Sequence, residues 1–76
     1  MEVTLGTSTG AKIAVWREKD LFHARRVDRK EGPQTCWAVD LFEVIAELAQ
    51  LDLDDPAQAA EALRLAAKAQ RRLRPR

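Results

Sequence analysis

The chain has 76 residues, 46% apolar and 33% charged, proportions ordinary for a folded domain and too apolar for a disordered one. Thirteen basic against twelve acidic side chains leave a net charge of +1, which argues against a chain organised around attraction to phosphate. The single cysteine, Cys36, excludes an internal disulfide framework and points to a reducing, cytoplasmic setting, and no run approaches the ~20 apolar residues of a membrane span or the make-up of a signal peptide.

Residues 1–76 read as a single small α+β domain. A chain of this length buries only a little over ~60% of its unfolded surface, so docking on a partner or on a second copy would relieve a core near its lower limit.

The first forty residues read as strands at about 2–7, 11–17 and 21–27, because "EVTLGT", "AKIAVWR" and "LFHARRV" are rich in β-branched or aromatic residues and are separated by turn chemistry at "STG" and "EKD". Val3 and Leu5 alternate with Glu2 and Thr4, and Ile13 and Val15 alternate with Lys12, Ala14 and Trp16, as in strands with one buried face. After "DRKEGP", residues 35–39 read either as a fourth strand or as an extra first turn of the following helix. The expected architecture is an antiparallel meander of three or four strands followed by two C-terminal helices packed on one sheet face.

The first helix is expected over about 40–51. Asp40 is its N-cap, Glu43 completes a capping box, and Val39 can pack on Val44 as a hydrophobic staple. Leu41, Val44, Ile45 and Leu48 recur at helical spacing, while Glu43, Glu47 and Gln50 form the wet stripe. "LDLDDP" connects to a second helix over about 55–73, capped by Asp55, with Pro56 at the first helical position and Gln58 completing the box.

Charge is segregated along this last helix. Residues 51–63 hold Asp52, Asp54, Asp55 and Glu61 without a base, whereas residues 64–76 hold Arg64, Lys68, Arg71, Arg72, Arg74 and Arg76 without an acid. At 100° per residue, Ala59, Ala62, Leu63, Ala66 and Leu73 share one face, and Glu61, Arg64, Lys68, Arg71 and Arg72 share the opposite one. The small inner face suits close approach to the first helix or to the same helix of a second chain in a homodimer. The basic stripe reads as a solvated helix end favoured by the C-terminal carbonyls, or as a grip on a nucleic-acid backbone. With Pro75 beyond it, the segment from Arg71 onward reads as a mobile, solvated end.

Tryptophans usually anchor a core or an interface. If Ile13 and Val15 face the helices, Trp16 stands on the open side of the sheet beside either His23 and Arg25 or Phe22 and Arg26. An open face with aromatic and basic residues can read nucleic acid by stacking and phosphate contacts.

Catalysis is poorly supplied. His23, Ser8 and Cys36 each occur once, so a nucleophile and base would have to come from His23 meeting Cys36 or Ser8 across strands. One His and one Cys cannot build a structural zinc site, and Gly6, Gly10 and Gly32 match neither phosphate-loop spacing. No cofactor and no metal are expected.

The residues therefore point to a small non-enzymatic binding protein, such as a regulator, adaptor or inhibitor, acting by stoichiometric contact. A protein partner would meet Trp16, Arg17 and Arg25, and self-association would use Ala59, Ala62, Leu63, Ala66 and Leu73. The alternative is a nucleic-acid-binding accessory protein using Arg64, Lys68, Arg71 and Arg72 or the open sheet face. No membrane partner is expected.

Overall fold

The computed structural model describes residues 1–28, 35–38 and 40–74, without the side chains of Thr35, Cys36 and Ala38. Four strands, β1 (Glu2–Gly6), β2 (Lys12–Glu18), β3 (Leu21–Arg26) and β4 (Thr35–Ala38), precede two helices, α1 (Leu41–Ala49) and α2 (Pro56–Arg72). The strands form one antiparallel sheet in the order β1-β2-β3-β4. The chain is thus α+β, and the segment left open between strand and helix start is the fourth strand. The staple expected from Val39 lies outside the described residues.

Alternation decides which sheet face is covered. Val3, Leu5, Ile13, Val15 and Ala24 are buried beneath the helices, and the residues between them belong to the other face. Ala14 is also buried, although it lies on the open face, because it is small and sits in register between Thr4 and Arg25.

The β2–β3 connection is a two-residue turn, since Glu18 pairs with Leu21 and both Lys19 (φ 53°) and Asp20 (φ 64°) are left-handed. That backbone matches the right-handed twist of the flanking strands, but it is normally filled by Asn-Gly or Asp-Gly. The β1–β2 loop closes differently. Thr7 N–H donates to the Ala11 carbonyl at 2.9 Å and Gly10 N–H to the Thr7 carbonyl at 3.0 Å, with Gly10 at φ 87°.

Asp40 caps α1 by accepting from Phe42 N–H at 3.0 Å, and left-handed Gln50 (φ 57°) ends it. Asp55 caps α2 through Ala57 N–H at 3.0 Å. The expected box is rearranged there: the Gln58 side chain donates to the Asp55 carboxylate at 3.0 Å and accepts from Asp52 N–H at 2.8 Å, so it ties connector to helix.

The inner face of α2 is Ala62, Leu65, Ala66, Ala69 and Leu73, packed into the same core as Leu41, Ile45 and Leu48. Two expectations for this helix are corrected. Leu63 is 57% exposed: it stands about 100° round the helix from Ala62, while Leu65 lies within 60° and takes the core position. Leu73 is 7% exposed and belongs to the core cluster, so the basic end is anchored up to that residue rather than free from Arg71 onward.

The left-handed turn generates a stability prediction. Glycine adopts positive φ without the Cβ penalty of about 1–2 kcal/mol, and the Arg17–Asp20 pair lost with it is a 3.5 Å surface contact with Asp20 96% exposed, worth little. Asp20→Gly is therefore expected to raise the melting temperature by roughly 4 °C. A lower melting temperature by circular dichroism would show that the turn is not the strained element.

Candidate binding face

On the face away from the helices, one register line crosses the whole sheet: Glu2 opposite Trp16, Trp16 opposite His23, His23 opposite Trp37. Side chains in line on adjacent strands stand within contact distance, and here three are aromatic. Trp16 and His23 have centroids 5.5 Å apart and planes 14° from parallel. His23 and Trp37 follow at 6.4 Å and 19°. Near-parallel rings 5.5 Å apart are too close to lie side by side in one plane, so they form an offset stack.

The stack is unequally covered. The Arg25 guanidinium lies 5.8 Å from the Trp16 ring centroid, and Trp16 and His23 are half-buried. Trp37 is 70% exposed. Beside it is a shallow depression lined by Glu18, Lys19, Leu21, His23 and Trp37.

Arg17, expected beside Trp16 and Arg25, belongs to the other side by strand alternation. It stacks on Phe22, 5.6 Å from the ring centroid, and pairs with Asp20. Phe22 in turn packs against the core edge. Trp16 and Arg25 therefore share the open face and Arg17 does not.

The basic residues of α2 form a second surface. Arg64, Lys68, Arg71 and Arg72 are all exposed, and among the described residues none enters an ion pair, the ion pairs there being Arg17–Asp20 and Arg26–Asp28. Because α2 packs with α1 on the covered side of the sheet, this stripe and the aromatic stack point away from each other. The expected pairing seam is divided: Ala62, Ala66 and Leu73 are spent in the chain's own core, Ala59 is half-buried, and Leu63 is exposed.

Glu61 does not continue the basic stripe's wet face, where the helical wheel placed it. It is 8% exposed, and its carboxylate accepts from Ser8 N–H at 2.7 Å and Ser8 O–H at 2.6 Å, clamping the β1–β2 loop to α2. These two bonds, with help from Arg64, hold its carboxyl below the usual glutamate range against the opposing effect of burial. A second clamp joins β3 to its surroundings. Arg26 donates to Asp28 at 2.8 and 3.2 Å and to the Leu48 carbonyl at 3.3 Å, while Asp28 also accepts from Lys12 N–H at 3.1 Å. The guanidinium, then the Lys12 N–H, draw the Asp28 carboxyl down to about 2.

These contacts also place the residues considered for catalysis. Ser8 is engaged by Glu61 beside α2, His23 stacks between the two indoles, and Cys36 is in register with Ala24, one position out of step with His23. Among the described residues no group of three His, Cys, Asp or Glu side chains gathers to hold a metal, and no helix is long and apolar enough to cross a membrane.

Of the residues expected here, Trp16 and Arg25 lie on this face, and Trp37, Glu18 and Lys19 join them as residues the sequence does not single out for it. The signal for Trp37 was its pairing with His23, which only the β4 register supplies. Comparison with known families, curated proteins and solved structures gives no match for this chain.

The Glu61 clamp predicts an acid-dependent stability. A carboxyl with a depressed folded-state value stabilises above its unfolded value, here 4.5, and loses that contribution as pH falls through the folded value. Glu61→Gln is expected to cost roughly 1–2 kcal/mol at neutral pH, and the gap between its melting temperature and the wild type's should narrow as pH drops below 4.5. A gap that stays constant from pH 7 to 3 would contradict an ionised clamp.

Proposed function

We propose that the chain is a small non-enzymatic binding protein that acts by stoichiometric contact with a protein partner docked on the open sheet face. The observation that carries this reading is the Trp16–His23–Trp37 stack, whose terminal indole is 70% exposed at the end of a half-buried row. Rigid aromatic side chains with an adjacent arginine are the usual energetic centre of a protein interface. The charge of the face is mixed, Glu2 and Glu18 standing among Lys12, Lys19 and Arg25, all exposed, which suits a protein surface carrying both signs. Self-association is a second element of the reading, and a second copy would meet exposed Leu63 between Ala60 and Ala67 rather than the occupied seam of α2.

The test compares wild type and Trp37→Ala as immobilised bait in native lysate treated with nuclease. The expected result is a protein retained by wild type and weakened about thirtyfold by the substitution, the scale of an interface centre. Retention indifferent to Trp37, or abolished by nuclease, would overturn the reading.

A second reading rests on a separate observation, the exposed row Arg64, Lys68, Arg71 and Arg72, none of which enters an ion pair among the described residues. Used on a nucleic-acid backbone, four such contacts give a log–log salt slope of about −4 on duplex DNA. Replacing all four by glutamate should abolish that binding, and a flat salt dependence would remove this reading while leaving the first intact.

A further inference from the structure

The depression beside Trp37 sets a carboxylate-bearing and an ammonium-bearing residue next to the exposed indole. These lining residues, Glu18 and Lys19, carry their charged groups within reach of it. Among the described residues neither charged group takes part in an ion pair. The neighbouring charges of the turn, Arg17 and Asp20, are already matched to each other.

A group settling here meets a flat π surface, a carboxylate that requires N–H or O–H donors and an ammonium that requires an acceptor. One charge of each sign favours neither a plain cation nor a plain anion. A planar ring with donors along one edge and an acceptor elsewhere satisfies all three, and the near-parallel rings already in the row show that this face accommodates stacking.

Nucleobases meet that description, and the carboxylate distinguishes among them. On its pairing edge guanine presents two adjacent donors, N1–H and the exocyclic N2–H, which one carboxylate can accept together. Adenine and cytosine each present one donor beside an acceptor, and uracil one donor between two acceptors. Protein recognition of unpaired bases combines these elements, aromatic stacking with hydrogen bonds to the pairing edge.

We infer that the Glu18–Lys19–Trp37 depression binds a guanine nucleotide, the base stacked on Trp37, its pairing edge read by Glu18 and its phosphate matched by Lys19. A free nucleotide and a guanine in a single strand share this chemistry. The inference does not depend on the protein-partner reading.

The experiment is a titration of the isotopically labelled full chain, following its indole N–H resonances in two-dimensional NMR. GMP is expected to shift the Trp37 resonance saturably, with a dissociation constant on the order of millimolar for a site built on one stacked base. AMP and CMP should bind about tenfold more weakly, and Glu18→Gln should reduce GMP affinity about tenfold while leaving AMP nearly unchanged. Lys19→Ala should weaken GMP more than guanosine, and Trp37→Ala should abolish the remaining indole response at Trp16. Unchanged melting temperatures for these surface variants separate loss of binding from loss of fold.

A single-stranded oligonucleotide with one guanine among thymines distinguishes the sources: tighter binding than GMP identifies a nucleic-acid strand, and equal or weaker binding a free nucleotide. No saturable shift with GMP, equal shifts with all three nucleotides, or indifference to Glu18→Gln would overturn the inference. So would saturation by a pyranose sugar or an arginine-containing peptide with none by GMP.

Discussion

The pairing of β2 with β3 is the constraint on which the rest of the molecule depends. The two left-handed residues Lys19 and Asp20 allow no slack between Glu18 and Leu21, so one register follows for the whole hairpin. In that register Val15 meets Ala24 under the helices, and Trp16 meets His23 on the other side. A slip of one residue would turn one strand over relative to the other, so that with Val15 kept under the helices His23 would be carried into the core and Ala24 out to the open face. Core and aromatic face are thus two consequences of one turn, although its residues are not those that favour it most.

Polar contacts then fix what the apolar core leaves loose. The last helix is rich in alanine, and alanines bury little area, so α2 gains less from packing than a leucine-lined helix would. Glu61 compensates by binding a backbone donor and a hydroxyl of the β1–β2 loop, which fixes the rotation of the helix against the sheet edge. On the opposite side Arg26 links Asp28 to the Leu48 carbonyl near the end of α1. Both clamps use a charged group with several bonds, the arrangement in which burying charge is least costly.

Contacts of short range were legible in the residues. Alternation in "EVTLG" and "KIAVW" identified the covered face and with it the open side for Trp16, leaving open whether His23 and Arg25 or Phe22 and Arg26 share that side, and Asp40 and Asp55 announced both helix starts. What escaped depends on distance along the chain. Glu61 looked like one more solvated acid because its partner Ser8 is 53 positions away. Reading it outward turned the helical wheel, so that Leu63 took the place that Leu65 holds. With so many alanines the wheel had little else to orient it. Trp37 was missed for a related reason: the segment between β3 and β4 is long enough that no local rule sets their register, and its pairing with His23 cannot be read from either strand alone.

The same geometry limits how the two polar surfaces can serve one partner. The aromatic row lies on the uncovered side of the sheet and the basic stripe on the outer side of α2, with the sheet and the helix layer between them. A rigid partner that stacks on Trp37 leaves Arg64 and Lys68 free, and a backbone lying along the stripe leaves the indole bare. The charges follow this division, since the open face mixes Glu2 and Glu18 with Lys12, Lys19 and Arg25 while the exposed stripe of α2 is basic throughout. A net charge of +1 therefore describes neither surface. It sums a mixed-charge face suited to short-range stacking, a basic face suited to long-range attraction and the acids of α1 and the connector, Glu43, Glu47, Asp52, Asp54 and Asp55, and the two faces differ in their expected response to salt because screening acts on the second far more than on the first.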